Sequence, residues 1–395
     1  MDEMPRPLVV HVTTVPMTLR FLAGHVAWQK AQGFAVAAIS SPGPHLAPFA
    51  AAAGIDVHAI AMPRRVTPLA DAAALLRLVA CLRRLRPAIV HAHTPKGGLL
   101  GVLAARLAGV PVAIYHLHGL PFATAAGMRR LLLRSSERVS CALARRVLCV
   151  SNSLRDEALA ARLVAPERIA VPGGGSIAGI DAVRFDPARF PPAARAAWRR
   201  AHGVPQAATV LGFVGRLVRD KGIGDLAAAW ARLHEAQPAA HLLLVGPPEP
   251  QDPVPPAVLA ALRADPRVTC TGELPEADLP AAYAAMDLAV LPTWREGFPV
   301  TALEAAAMAL PLVATSVTGC VDAVVDGSTG VLVPPRDPAA LARVLRDLVA
   351  DPARRAALGA AARARACRDF APARAFAAVT AEYRRLLAAA GHAVA

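Results

Sequence analysis

In the stretch EGFPVTALEA, residues 296–305, two carboxylates bracket seven uncharged residues in a neighbourhood otherwise rich in Ala, Val, Leu and Pro. Glu296, Gly297 and Phe298 read as a tight loop leaving the strand LAVLPTW, with Pro299 as the first residue of a helix that carries Glu304. The first N–H groups of a helix lack intrahelical acceptors and its dipole is positive there, so a phosphate can dock at that end. Carboxylates do not bind phosphate; they accept hydrogen bonds from hydroxyls. Glu296 in the loop and Glu304 about a turn and a half into the helix therefore suit two different hydroxyl-bearing groups. A second stretch, FVGRLVRDKGI at 213–223, is a strand ending at Gly215, followed by Arg216 and, five residues later, Lys221. A planar fork and a point charge at a strand exit suit a diphosphate, although two solvated surface charges would look the same taken alone. Together the two stretches describe a ligand with a diphosphate between two hydroxyl-bearing rings, which is a nucleotide sugar.

Other candidates are weaker. Lys96, Gly97 and Gly98 follow the strand AIVHAHT and open a helix, where a flexible cation beside helix N–H groups suits an acceptor phosphate. Helix packing alone would also explain the glycines. His91 and His93 lie two apart on that strand and so face one side of it. Zinc would need a third ligand and none is apparent, so no metal is expected. The run GGGSIAG at 173–179 imitates a dinucleotide fingerprint, but no clear helix follows and no acid at about 20 residues onward fits a ribose partner, so an oxidoreductase is not expected. RDKG lacks the P-loop pattern. In GMRRLLLRSSERVSCALARR, Arg130, Arg134, Arg138 and Arg145 fall within about 80° of helix circumference, flanked by Leu131 and Leu133. A basic stripe beside leucines suits an anionic membrane surface; the plain alternative is a solvated face partnered by Glu137.

The elements that must hold these residues alternate between strand and helix. PLVVHVTT, FAVAAISS, GIDVHAIAM, AIVHAHT, VPVAIYHLHG and ARRVLCVSN are short apolar strands with helical stretches between them. After a Gly- and Pro-rich connection at 172–205 a second series follows: ATVLGFVGRL, AHLLLVGPPEP, RVTCTGEL, MDLAVLPTW, LPLVATSV and GVLVPP. The pattern predicts an α/β chain of two doubly wound parallel sheets in series, with ligands beyond the carboxyl ends of the strands. The expected boundaries are a first domain over 1–180, a second over 181–375, and a terminal helix over 376–395.

Bulk properties set limits. The chain has 395 residues, 55% of them hydrophobic, enough for two or three cores. No run of about 20 apolar residues lacks a charge; Arg106 interrupts the best candidate, GGLLGVLAARLAGVPVAIY. The start, MDEMPRP, does not read as a secretory signal. Six well-separated cysteines without a Cys-x-x-Cys pair suggest reduced thiols in the cytoplasm. Residues 1–180 carry 20 Lys and Arg against 8 Asp and Glu, while residues 181–395 carry 23 against 21, so the basic half should meet something anionic. With 4% aromatic residues there are few stacking platforms for nucleic acid, which is not expected as a partner.

EGFPVTALE resembles the Glu-x7-Glu motif of the GT4-type retaining glycosyltransferases, and the resemblance extends over nearly the whole chain through VTTVPMTLRF, IVHAHTPKGGLLG, YHLHG, VLCVSNSLRDE, GGGSIAGIDAVRFDP, GFVGRLVRDKGI and TGCVDAVVDGSTGVLVPP. HTPKGG and GSIAGID resemble the branch that builds capsular and O-antigen polysaccharide on a lipid carrier. The resemblance implies a GT-B fold, two Rossmann-like domains facing across a cleft with the last helix crossing back to the first. It implies that Glu296 contacts hydroxyls of the transferred sugar and Glu304 the nucleotide ribose. Arg216 and Lys221 would hold the diphosphate, Gly215, Gly297 and Phe298 would complete the donor site, and His118 would sit beside the sugar. It implies no metal or other cofactor. The expected activity is sugar transfer from a nucleoside diphosphate, UDP by preference, to a polyprenyl-diphosphate-linked saccharide at the inner face of the cell membrane. A nucleotide-sugar epimerase or a non-catalytic sugar-nucleotide binder would keep the same fold. The chain departs from the family pattern at Gly174, often Asn; at Ala309, often Gly at a helix end that favours positive φ; and at LLLVGPPEP, which replaces a Gly–Asp–Gly turn.

Overall fold

The computed structural model describes residues 6–250 and 252–392; the start Met1–Pro5, read above as no secretory signal, lies outside them. The chain forms two compact units, one of residues up to Gly179 together with those from Pro372 onward, the other Ile180–Ala371.

The first unit is built on seven parallel strands: β1 Leu8–Val12, β2 Ala35–Ser40, β3 Asp56–Ala59, β4 Ile89–His93, β5 Val112–Leu117, β6 Arg146–Cys149 and β7 Ile169–Ala170, in the spatial order β3-β2-β1-β4-β5-β6-β7. β4 and β5 are buried at every position, as strands with helices on both faces must be. The second unit has six parallel strands: β8 Thr209–Val214, β9 Ala240–Val245, β10 Val268–Gly272, β11 Leu288–Leu291, β12 Leu312–Thr315 and β13 Gly330–Val333, ordered β10-β9-β8-β11-β12-β13. Both orders add strands first to one side and then to the other, the doubly wound pattern expected from the sequence. A gap opens where the direction reverses, between β1 and β4 in one sheet and between β8 and β11 in the other.

The terminal helix begins at Pro372 and runs to Ala388, starting four residues before the expected 376. It buries Phe376, Val379, Tyr383, Leu386 and Leu387 at the i, i+3, i+4, i+7 spacing of one helix face, each worth roughly 1.5–3 kcal/mol of transfer free energy. Gly173 makes this seat possible: a Cβ there would lie 2.7 Å from Ala375 Cα, and its φ of 62° favours glycine. The glycine run that imitates a dinucleotide fingerprint is thus a backbone seat for the last helix. Because that helix belongs to the first unit, the charge asymmetry sharpens. The first unit carries 23 Lys and Arg against 9 Asp and Glu, the second 20 against 20.

At the β1–β4 gap the core is polar. His11, His25, His91, His93 and His116 are at most 1% exposed. Parallel register brings them together, with His11 opposite His91 and His93 opposite His116. Burial disfavours the imidazolium. It lowers His11 to about 4 and His25 to about 3, and it holds His91, His93 and His116 well below the ordinary range. Unfolded histidines take up protons near 6.5, so between about pH 6.5 and 4 the unfolded chain binds more protons than the native one and stability falls with pH. Glu137, raised by burial to about 7, acts in the opposite sense and offsets one of the five. The urea midpoint should drop steeply from pH 7 to pH 5, each histidine contributing up to about 1.4 kcal/mol per pH unit. A midpoint constant over that range would show that these histidines do not stay neutral in the fold.

Candidate active site at the strand exits of the second unit

Gly215 follows β8 and Pro292 follows β11, so the two predicted stretches leave adjacent strands on either side of the switch point. Two loops are stitched together there. Trp294 N and Thr293 Oγ1 both donate to the Asp220 carbonyl, at 2.8 and 3.1 Å, and Arg295 pairs with the Asp220 carboxylate at 2.8 Å. Trp294 Nε1 donates to Asp225 at 2.6 Å. This stitching sets the Lys221 ammonium on the Glu296 carboxylate as a part-buried ion pair, with side chains 21% and 11% exposed. Gly222, next to Lys221, has φ 71°, and a Cβ there would meet the Pro292 carbonyl oxygen at 1.8 Å, so only glycine lets the loops approach this closely. The structure thus joins two residues that lie 75 apart in sequence.

Arg216 pairs with Glu249, which sits in the GPPEP loop after β9. That loop is one of the departures from the family pattern, and it supplies a carboxylate that sequence reasoning missed. The Arg216 side chain remains 52% exposed. On the other side, the helix Val300–Ala307 begins one residue later than expected: Pro299 is its N-cap, with extended backbone, rather than its first residue. Phe298 is buried against Phe370. Gly297 is closely covered, since a Cβ on Gly319 would lie 2.4 Å from its carbonyl oxygen. Glu304 accepts a 2.8 Å hydrogen bond from the Tyr283 hydroxyl. Burial and that carboxylate hold the Tyr283 phenol well above its ordinary range, so it stays a donor and orients Glu304. Ala309 has φ 57°, the strained conformation expected where glycine is common. Gly174 has φ 87°, a conformation that asparagine also tolerates.

In the first unit, His118 follows β5, is half-buried, and lies 3.1 Å from His93. The reading that His91 and His93 lack a third ligand is corrected here. His11, His91 and His93 form one set, and His93, His116 and His118 another, with ligand atoms within 4.8 Å of one another in each. The missed partners come from other strands, where no sequence spacing could reveal them. Hydrogen bonds already span both sets.

Lys96 pairs with Asp71 at 2.5 Å and donates to the carbonyls of Pro63 and Arg65. A Cβ on Gly97 would lie 2.9 Å from Thr14 N, and one on Gly98 would lie 2.1 Å from the Tyr115 ring, so packing accounts for both glycines. Thr94, just before them, has φ 66°.

The basic stripe needs two corrections. Its helix ends at Leu143, so Arg145 lies beyond it and donates to the Ala389 carbonyl instead. Among the described residues Glu137 pairs with none of these arginines; it is buried and accepts a 2.7 Å bond from Tyr115. Met128, Leu131 and Leu132 are exposed on the same helix.

The sequence and the fold are both similar to those of known proteins. The pattern of the family described as glycosyl transferase 4-like domain matches residues 18–174, and that of glycosyl transferases group 1 matches residues 208–351. The chain is 29% identical to the capsular polysaccharide biosynthesis glycosyltransferase CapM of Staphylococcus aureus over 353 residues, 89% of this chain and 90% of that one. It is 33% identical to the 2-deoxystreptamine N-acetyl-D-glucosaminyltransferase of Streptomyces fradiae over 294 residues, 71% of this chain and 67% of that one. Its fold is similar to that of Anabaena HepE solved with UDP-glucose, at a TM-score of 0.78 and 20% identity over 97% of this chain and 100% of the other. Two doubly wound units, a cation–carboxylate pair at the second switch point and family patterns on both halves give one conclusion: the chain belongs to the GT4-type glycosyltransferases and is a glycosyltransferase.

Proposed function

We propose that the chain moves a sugar, with retention at its anomeric carbon, from UDP to a saccharide carried on a polyprenyl diphosphate during synthesis of a cell-surface polysaccharide. The observation that carries this reading is the pair of cations at the strand exits of the second unit, each held by a carboxylate, beside a third carboxylate, Glu304. In the reaction the acceptor hydroxyl oxygen bonds to the anomeric carbon while the bond from that carbon to the diphosphate breaks. The bonding electrons leave with the diphosphate, which also takes the hydroxyl proton. Charge therefore grows on the diphosphate, where Arg216 and Lys221 would neutralise it without a metal. Lys221 has three N–H donors, so it can keep Glu296 and still reach a phosphate. Glu296 would accept from hydroxyls of the sugar as the ring becomes cationic, and Glu304, oriented by Tyr283, from the ribose. Gly215, Gly297 and Phe298 shape the same donor pocket.

The acceptor falls to the first unit, whose surplus of 23 basic over 9 acidic residues suits a lipid diphosphate and an anionic bilayer. There a phosphate would take the place of Asp71 on Lys96, at the N-terminus that Gly97 and Gly98 help to form. Among the described residues no helix is long and apolar enough to cross a membrane. Attachment from the cytoplasmic side would rest on the helix Gly127–Leu143, with Met128, Leu131 and Leu132 exposed beside Arg130, Arg134 and Arg138. The CapM relative's name supports the polysaccharide context, and the UDP-glucose bound by HepE supports the donor class.

A panel of nucleotide sugars, with and without a polyprenyl-diphosphate-linked acceptor, followed by mass spectrometry tests the reading. A lengthened acceptor from one UDP-sugar is the expected product. Change of the nucleotide sugar alone, as in an epimerase, or binding without turnover would refute it. Glu296→Ala should lower kcat by roughly 100-fold or more while weakening nucleotide binding far less, the pattern for loss of a contact made in the transition state. Activity should survive EDTA; strict dependence on added metal would contradict the assignment of Arg216 and Lys221. Vesicles of anionic lipid should bind the protein at low salt and release it at high salt, where screening shortens to about 3 Å at 1 M. Reversal of Arg130, Arg134 and Arg138 to Glu should abolish that binding while leaving UDP-sugar binding intact. Indifference of the wild type to such vesicles would reduce the stripe to a solvated face.

A further inference from the structure

One hydrogen-bonded chain runs through the buried histidines of the first unit and ends on His118, and we infer that Gln29 fixes, through this chain, which nitrogen of His118 carries the proton. This rests on His118 being the residue beside the transferred sugar. Gln29 is fully buried on the helix Ala23–Ala31 and uses its whole amide. Its oxygen lies 3.0 Å from His11 Nε2, and its nitrogen lies 3.1 Å from the Tyr383 hydroxyl and 3.2 Å from His25 Nε2. Turning the amide over would put its nitrogen beside His11 alone, leaving one amide hydrogen without an acceptor.

A neutral imidazole has one donor and one acceptor nitrogen, so each contact dictates the next. The Gln29 oxygen can only accept, so His11 Nε2 carries the hydrogen and His11 Nδ1 must accept. His93 Nε2, 3.0 Å away, therefore donates to it, and His93 Nδ1 accepts in turn. His118 Nε2, 3.1 Å from that atom, must donate. The outcome is His118 protonated on Nε2, with a bare lone pair on Nδ1. The second arm runs from the Gln29 nitrogen to Tyr383, whose hydroxyl donates to His91 Nδ1 at 2.5 Å. His91 Nε2 then donates to His116 Nδ1 at 3.1 Å. His116 Nε2, buried and without a partner among the described residues, ends that arm. Gln29 and Tyr383 act through other residues and are positioning residues. Their effect is to make His118 Nδ1 an acceptor. The group it receives is then an O–H, as on a sugar, and an anionic oxygen is disfavoured there.

The test is 15N NMR of histidine-labelled protein without substrate, with resonances assigned by single-histidine variants. Wild type should show one His118 tautomer, with the proton on Nε2. Gln29→Glu presents oxygens to every neighbour. His118 should be unchanged, but Tyr383 must now donate to the introduced carboxylate, so His91 and His116 should move their protons to Nδ1. Gln29→Leu leaves His11 without its acceptor. His118 should then become a mixture of tautomers, and kcat should fall about tenfold with the donor KM little changed, the scale for losing a partner that orients a functional histidine. A wild-type proton on His118 Nδ1, or a Gln29→Leu spectrum in which His118 keeps its single form, overturns the proposal. Should Gln29→Leu fail to fold, the wild-type and Gln29→Glu spectra decide alone. Since the spectra need no turnover, a failed search for transfer would count against the proposed function and leave the tautomer result standing.

Discussion

A parallel sheet that adds strands on both sides of its first strand must leave a gap where the direction reverses, because helices depart from the two central strands to opposite faces. Two clusters of polar side chains in this chain depend on that constraint. In the second unit the gap between β8 and β11 receives two loops, and Asp220 binds one to the other through its carbonyl and its carboxylate. The Lys221–Glu296 pair follows from that join. In the first unit the gap between β1 and β4 is filled by imidazoles, which pair across strands because the parallel register sets His11 beside His91 and His93 beside His116.

The two gaps are built differently. The gap of the second unit holds opposite charges in contact, so each charge is compensated while still reaching toward solvent. Tight approaches at Gly222 and Gly319 remove side chains that would hold the loops apart. The other gap holds groups that are polar but neutral, since burial keeps the imidazoles unprotonated. The net positive charge of the chain lies on the unit with the neutral core, carried on its outer surface. Two separate electrostatic designs thus share one topology.

Much of this was legible in the sequence. The strands announced themselves as short apolar runs, and the Glu-x7-Glu stretch and GRLVRDKG named the residues that now lie at the second switch point. What could not be read were partnerships between distant segments. Glu249 meets Arg216 because the β9 exit adjoins the β8 exit. Asp71 meets Lys96 across a helix pair. Glu137, counted as a surface partner for arginines, faces Tyr115 inside. The third and later histidines of the cluster come from β1, β5 and the helix Ala23–Ala31, and Tyr383 joins them from the far end of the chain. Local periodicity marks a face of an element; it does not say which face of which other element will lie against it.

If the proposed function holds, Lys221 and Glu296, joined as an ion pair, act on the nucleotide sugar as one unit. A double-mutant cycle with Lys221→Met, Glu296→Gln and the pair, read as the free energy of UDP-sugar transfer, tests it directly. Strong non-additivity is expected, with the double variant little worse than the more damaged single one, because each side chain of the ion pair holds the other in place. Losses that simply add would show two independent surface charges and contradict it.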